Sequence, residues 1–344
     1  MGLPHSHLAK LQDLLRQEIK HHELLRALVV IGPLVAAYVF LREPALLNLG
    51  LIAISLLIPA LKLRLPPRIV ALHYLVILVT FGVLFLAAPI KPLFVALTAL
   101  AGFLAVAVTR YGEALRTLGN WVFIPAVYLA CEVREGGSAP EALRHAGIIV
   151  AASPLALALV CAIRLRDRRA DDHPASSRFG VAAQQWFPSA AATAIAVFAA
   201  AALVEVLNLK QGQWVMWSAA SVVVGDLSTS SGKLKQRAMG ALVGVPLGLL
   251  VGVLLPQSRI GYSLAVLAAT LTLIAFSRYV LGFGSRCFFI ALAAAFAGGA
   301  SGIAEERVAN VIIGGVFGLI AVALTDLVWQ RLVGKDPGQS QARS

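Results

Sequence analysis

The stretch GDLSTSSGKLKQR, residues 225–237, places small hydroxyl residues ahead of Gly-Lys, the residue types that build a phosphate-binding loop. That loop needs GxxxxGK followed by Ser or Thr between a strand and a helix, so that amides cradle the phosphate and a hydroxyl holds magnesium. Here Gly225 precedes Gly232 by seven positions, and Leu234 stands where the hydroxyl belongs. The run before it, WVMWSAASVVV, has the composition of a membrane span. The nucleotide reading fails on spacing, metal ligand and context. The stretch reads instead as a cytoplasmic loop between two spans, with Lys233, Lys235 and Arg237 fixing topology.

The remaining residues able to do chemistry are charged or aromatic and sit among apolar runs. Arg237 and Arg307 are each expected to begin a helix, on opposite membrane sides, where orphan amides add to the guanidinium and together hold a carboxylate in two-pronged fashion. Arg110 and Arg278, each followed by Tyr, form a matching inner-side pair, and Arg286 opens a later span. Trp214 and Trp217 are three apart, so they share a helix face and offer a stacking surface to an aromatic ring. Against these stand plainer readings: headgroup-level arginines that set topology, and an interfacial tryptophan belt. Glu205, Asp226 and Asp326 lie in or beside apolar segments; a carboxylate held there takes and releases protons, which would couple transport to a proton gradient. Their plainer roles are an Asp326–Arg331 pair and a water-facing Glu205. His5, His7, His21 and His22 lie on a polar terminus with no further ligands, so no metal site is expected, and His73 beside Tyr74 reads as a packed polar residue. Three cysteines, Cys131, Cys161 and Cys287, show no CxxC spacing. No HExxH or GxSxG occurs and the loops are short, so an enzyme ranks last and no cofactor is expected.

These residues must be positioned by membrane helices. The 344 residues are 59% hydrophobic and 13% charged, against about 25% charged in soluble domains. A net charge of +12 would point to nucleic acid in a soluble protein; here the positive-inside rule accounts for it, and no nucleic-acid partner is expected. Twelve apolar stretches read as spans: 27–41, 45–61, 69–90, 92–109, 119–133, 142–163, 189–208, 212–228, 238–255, 260–277, 280–300 and 307–330. With both termini cytoplasmic, 22 Lys and Arg fall inside and 7 outside, which together make up the 29 of the chain. Residues 1–25 read as an amphipathic helix on the membrane surface, with Leu8, Leu11, Leu15 and Ile19 on one face.

The charged, helix-breaking segment RLRDRRADDHPASSR, 164–178, divides the spans six and six. AVTRY at 107–111 answers AFSRY at 275–279, and an aromatic-apolar run follows each. The expected fold is therefore all-α and polytopic: about twelve transmembrane helices as two parallel six-helix repeats, 26–165 and 188–331, joined by a cytoplasmic linker at 166–187, with a tail at 332–344. In the ninth span Gly240, Gly244, Gly248 and Gly252 recur every four residues on one face, a ladder that reads as helix packing ahead of substrate lining, and Pro246 is expected to bend that helix.

The region QGQWVMWSAASVVVGDLSTSSGKLKQRAMGALVGVPLGLLVG, 211–252, resembles the signature of the fusaric acid resistance group of membrane proteins, which includes aromatic acid exporters and is distantly similar to plant aluminium-activated malate transporters. Trp214 opens one span, and Arg237, Gly240 and Gly244 open the next; ERVANVIIGGVFGLIAVAL repeats the pattern with Arg307, Gly314, Gly315 and Gly318. The likeness covers about 180–330 well and the first half by topology only. The chain departs from the family in lacking large cytoplasmic domains after each half and in having Asp226 where a proline or small polar residue is usual. The resemblance implies export of small organic, often aromatic, carboxylic acids across a bacterial inner membrane, with a small organic acid and membrane lipid as partners. Exporters of this kind often work with a periplasmic adaptor protein. The malate-transporter likeness keeps a passive anion channel as the alternative. Substrate identity, coupling ion, adaptor and homo-oligomer formation stay open.

Overall fold

The computed structural model describes residues 18–168, 185–298 and 300–333. Among them it is α-helical, with one isolated bridge between Ile19 and Phe276. Twelve α-helices follow one another: α1 His21–Leu41, α2 Ala45–Lys62, α3 Pro67–Ala87, α4 Lys91–Ala107, α5 Arg116–Glu135, α6 Ala139–Arg168, α7 Trp186–Leu207, α8 Gln213–Val222, α9 Leu227–Leu254, α10 Arg259–Ala275, α11 Tyr279–Phe296 and α12 Ala300–Val333. Ten spans are long and apolar enough to cross a membrane, so the chain is a multi-pass membrane protein. Two of the twelve expected spans fall short by that measure. One is α10, with 17 residues. The other is α8, whose 10 residues reach about 15 Å.

Several expected boundaries are corrected. The expected span 212–228 is a half-length helix that ends at Val222, where the run Val222-Val223-Val224 meets Gly225 at a φ of 156° that side chains avoid. The expected loop 225–237 is mostly helix, because Asp226 caps it and α9 begins at Leu227. Arg237 is consequently the eleventh residue of α9 and Arg307 the eighth of α12, so neither sits among orphan N-terminal amides. Residues 1–17, most of the expected surface helix, lie outside the described residues, as do most of the linker and of the C-terminal tail. Ile19, expected on that helix's apolar face, instead lies in extended backbone against Phe276.

The chain forms two compact units that cut across the sequence halves. Unit 1 takes Met1–Val76, Gly136–Pro174 and Gln236–Val308, and unit 2 takes Ile77–Glu135, Ala175–Lys235 and Ala309–Ser344. Unit 1 is built on α2, whose Leu49, Ile52, Ile54, Leu56 and Leu57 are fully buried against α1, α6 and α10. Its other seam joins α9 to α11. A Cβ at Gly244 would lie 2.3 Å from the Gly284 carbonyl, at Gly248 2.2 Å from the Phe288 carbonyl, and at Gly252 2.3 Å from the Ala295 Cβ. The glycine ladder is thus a packing groove. Its contacts rise together in number, so α9 and α11 run parallel, and α10 must return between them through the same thickness despite its length. The outer face of α9, with Leu242, Val243, Leu247 and Leu250, is exposed and apolar, as a lipid-facing surface is.

Unit 2 packs α7 on α4 through small residues: Ala192, Thr193, Ala196 and Val197 are buried, and Gly102 admits the Val197 side chain. A second glycine seam sets Gly314 and Gly318 of α12 against the Val215 and Ala219 carbonyls of α8. The Ser218 hydroxyl donates to the Val311 carbonyl across it.

The seams predict an unequal response to one substitution made at two places in α9. Gly248→Leu, which drives a side chain into the α11 backbone, removes most monodisperse protein in detergent chromatography. Gly232→Leu, with nothing within 4 Å of its Cβ position, leaves the yield within about twofold. Equal yields would refute the seam.

Candidate functional site

Unit 1 gathers three arginines in its interior. Arg237, Arg286 and Arg307 are 1%, 9% and 2% exposed. The α9–α11 seam explains the first contact. Gly240 has no Cβ, so the Phe283 ring lies against the α9 backbone. Arg237, three residues earlier on the same helix, then places its guanidinium carbon 4.3 Å from the centre of that ring. Its Nη1 donates to the Tyr279 hydroxyl at 2.9 Å. Tyr279 stacks on Phe283 with centroids 5.9 Å apart and planes at 16°. One turn on, the Arg286 guanidinium carbon is 5.9 Å from the same Phe283 ring, and its Nε donates to the Thr272 hydroxyl of α10 at 3.3 Å. Arg307, on α12, is buried in the same unit.

Two guanidiniums beside one aromatic ring, with a third buried in the same unit, bring positive charge into the interior of a membrane protein. A guanidinium keeps its proton in any environment a protein provides, so the site stays cationic. The ring faces hold the cations through the aromatic quadrupole while leaving their N–H edges able to donate. Arg286 lies seven residues, about 10 Å, along α11 from Tyr279. The arrangement suits an anion whose charge is met by guanidinium N–H groups and whose body lies against apolar side chains. Tyr279, Phe283 and Thr272 were not among the residues singled out from sequence. The spacing Tyr279, Phe283, Arg286 is i, i+4, i+7 and already puts them on one face of α11.

The other candidate residues go elsewhere. Arg278, 71% exposed at its side chain, pairs with Glu18 at 2.7 Å and fastens the segment before α1 to the α10–α11 connection, so it does not join the buried arginines. The remaining candidates, apart from Arg237, Arg286 and Arg307, belong to unit 2. Arg110 lies over the Tyr111 and Trp186 rings. Trp214 and Trp217 stack at 5.1 Å, both buried, with Tyr128 edge-on to Trp214 and the Trp214 Nε1 donating to Gln211 Oε1. They pack α8 within its unit and form no exposed belt.

The acids divide as well. Glu205 is buried and paired with Arg134 at 2.6 Å, while Lys91 donates to its backbone carbonyl and to Asn208. Asp226 is an exposed helix cap. Its Oδ1 accepts from the Thr229 amide at 2.7 Å and from the Ser228 hydroxyl at 3.2 Å. The Thr229 amide above all holds its carboxyl below the usual range, the reverse of what an apolar site does to a proton carrier. Asp326 is half-buried in α12, and among the described residues no ion pair joins it to Arg331.

Residues 198–321, the segment that holds Arg237, Arg286 and Arg307, match the fusaric acid resistance protein-like family. No curated protein and no solved structure matches the chain.

The cap predicts that Asp226→Ala speeds amide exchange at residues 228–230 without reaching the second half of α9. A carboxyl with a depressed folded pKa stabilises above its unfolded pKa and loses that effect as pH falls through the folded one. The unsubstituted chain should therefore show the same local loosening only below the usual carboxylate range. Exchange indifferent to the substitution would refute the capping role.

Proposed function

Starting from a fusaric acid resistance protein-like segment set in a multi-pass helical membrane protein, we propose that this chain is a transporter that exports small organic, often aromatic, carboxylic acids across the inner membrane of a bacterial cell, with both termini cytoplasmic. The observation that supports the reading is the pair Arg237 and Arg286 at the Tyr279–Phe283 stack in the interior of unit 1, with Arg307 buried in the same unit. Charged groups inside a membrane protein are expensive and mark ion and substrate paths. The carboxylate is received by the guanidiniums, and the aromatic ring of the acid meets Phe283 and Tyr279. The role first read for Trp214 and Trp217 thus passes to two other rings. Transport needs no covalent step, so the reading is not enzymatic.

Two parallel repeats fit the division of the chain. Numbered within each half, unit 1 combines helices one, two and six of the first half with three, four and five of the second, and unit 2 takes most of the complement. A duplicated chain whose halves exchange three-helix segments produces this composition. Proton coupling, if export uses it, falls to Asp326, since Asp226 is a solvent-exposed cap and Glu205 an ion partner.

Proteoliposomes loaded with a radiolabelled aromatic acid test the reading. Arg286→Gln should slow efflux about tenfold or more while the protein stays monodisperse, since one charged hydrogen bond to substrate is worth about 1.5–3 kcal/mol. Normal efflux from a folded Arg286→Gln protein would sink the site. A flux unchanged by an imposed pH gradient would favour the passive channel.

A further inference from the structure

A charged cavity lies in unit 1, apart from Arg237, Arg286 and Arg307. It measures about 540 Å³ and opens between the start of α1 and the ends of α2, α6 and α10. Its cations are Lys20, Arg26, Lys62, Arg64 and Arg164. Among the described residues its carboxylates are Glu23 and Asp167, so the described lining carries a surplus of three positive charges. Asp167 is shared: Oδ1 accepts from Arg26 Nη2 at 2.9 Å and Oδ2 from Arg164 Nη1 at 3.2 Å. Arg164 is buried, and its Nε also donates to the Leu65 carbonyl at 3.0 Å. Glu23 stands 3.8 Å from Lys20.

The walls are built. The Lys20 amide donates to the Ala275 carbonyl at 2.8 Å and the Ser277 amide to the Glu18 carbonyl at 2.9 Å, which holds the segment before α1 against the end of α10. Arg64 is kept at a φ of 50°, a left-handed conformation that side chains avoid on steric grounds. Beside the charges lie apolar side chains: Ile58 and Leu61 of α2, Leu273 of α10 and Phe276. Lys62 is the last residue of α2, and Ala275, next to this lining, is the last of α10, so the cavity lies where helices leave the hydrocarbon for the headgroup layer. The charge bias of the sequence puts this face in the cytoplasm.

We propose that this cavity binds a phosphate group carried on an apolar body, the headgroup of an anionic phospholipid. The Arg26–Asp167–Arg164 triad is its fixed wall, and the exposed Lys62 and Arg64 are its outer contacts. A surplus of three charges, spread over side chains from several elements, suits a group with several anionic oxygens. Basic pockets between transmembrane helices at this level hold lipid phosphates elsewhere. The apolar lining beside the cations favours a lipid over free phosphate as the source.

The test is thermal unfolding of the purified full-length protein in detergent, with phosphatidylglycerol, phosphatidylcholine, inorganic phosphate or benzoate added separately. Phosphatidylglycerol should raise Tm by about 3 °C or more, as a ligand of the folded state does, and phosphatidylcholine should not. Lys62→Gln/Arg64→Gln should lose at least half of that shift, and the charge-keeping Lys62→Arg/Arg64→Lys should retain it. An equal shift from millimolar inorganic phosphate would support the phosphate site and assign it to the free ion. No shift from either phosphate ligand, a shift from benzoate alone, or a full phosphatidylglycerol shift in the Gln double variant would overturn it. Arg286→Gln should leave the lipid shift intact, so failure of the transport reading and failure of this one are separately visible.

Discussion

The close approach of α9 to α11 is the contact on which the site depends. Lipid tails are as apolar as leucine, so helices in a bilayer gain little from hiding apolar surface on one another and associate through close packing. Four glycines on one face of α9 let its backbone reach that of α11. The contact fixes rotation as well as distance. With Phe283 seated over Gly240, Arg237 can reach both the Tyr279 hydroxyl and the face of Phe283. Arg286 follows on the same side of α11 with Thr272 behind it. Any side chain in the groove would separate the two helices and pull these groups apart together.

The two units treat buried charge differently. In unit 2, Glu205 meets Arg134, which also lies over the Phe94 ring, beside a cavity of about 300 Å³. In such a pair, attraction offsets desolvation, and the local potential is close to neutral. In unit 1, Arg237 and Arg286 lie beside the same Phe283 ring. Like charges in a medium of low dielectric raise one another's energy steeply as they approach. An anion brought among such groups is favoured by the same term. The cavity at the end of unit 1 repeats the principle at headgroup depth, where Asp167 orders two arginines and leaves the lining positive.

Residue type proved a better guide than position along a span. Arg237, Arg286 and Arg307 were identifiable because guanidiniums in apolar sequence are rare and expensive, and the structure brings them into one unit. The roles first assigned to two of them, as helix-starting arginines, failed because Asp226 starts α9 eleven residues earlier than Arg237 and α12 begins at Ala300. Trp214 and Trp217 do share a face, as their spacing requires, but that face turns inward onto Tyr128. Spacing determines which side chains point together, and the neighbouring helix determines what they point at.

Legible in the sequence alone were an apolar, multi-pass helical chain, the glycine ladder as a packing face, and guanidiniums set in apolar runs, because hydrophobic run length and period are local properties of the chain. The folded arrangement added that α8 stops at half length, that the compact units interleave the two halves, and that the Tyr279–Phe283 stack lies beside Arg237 and Arg286. The make-up of the units and the placing of Arg237 come from contacts between segments far apart in the chain, such as Arg237 with Tyr279, and no local pattern encodes the distance between two helices until they pack.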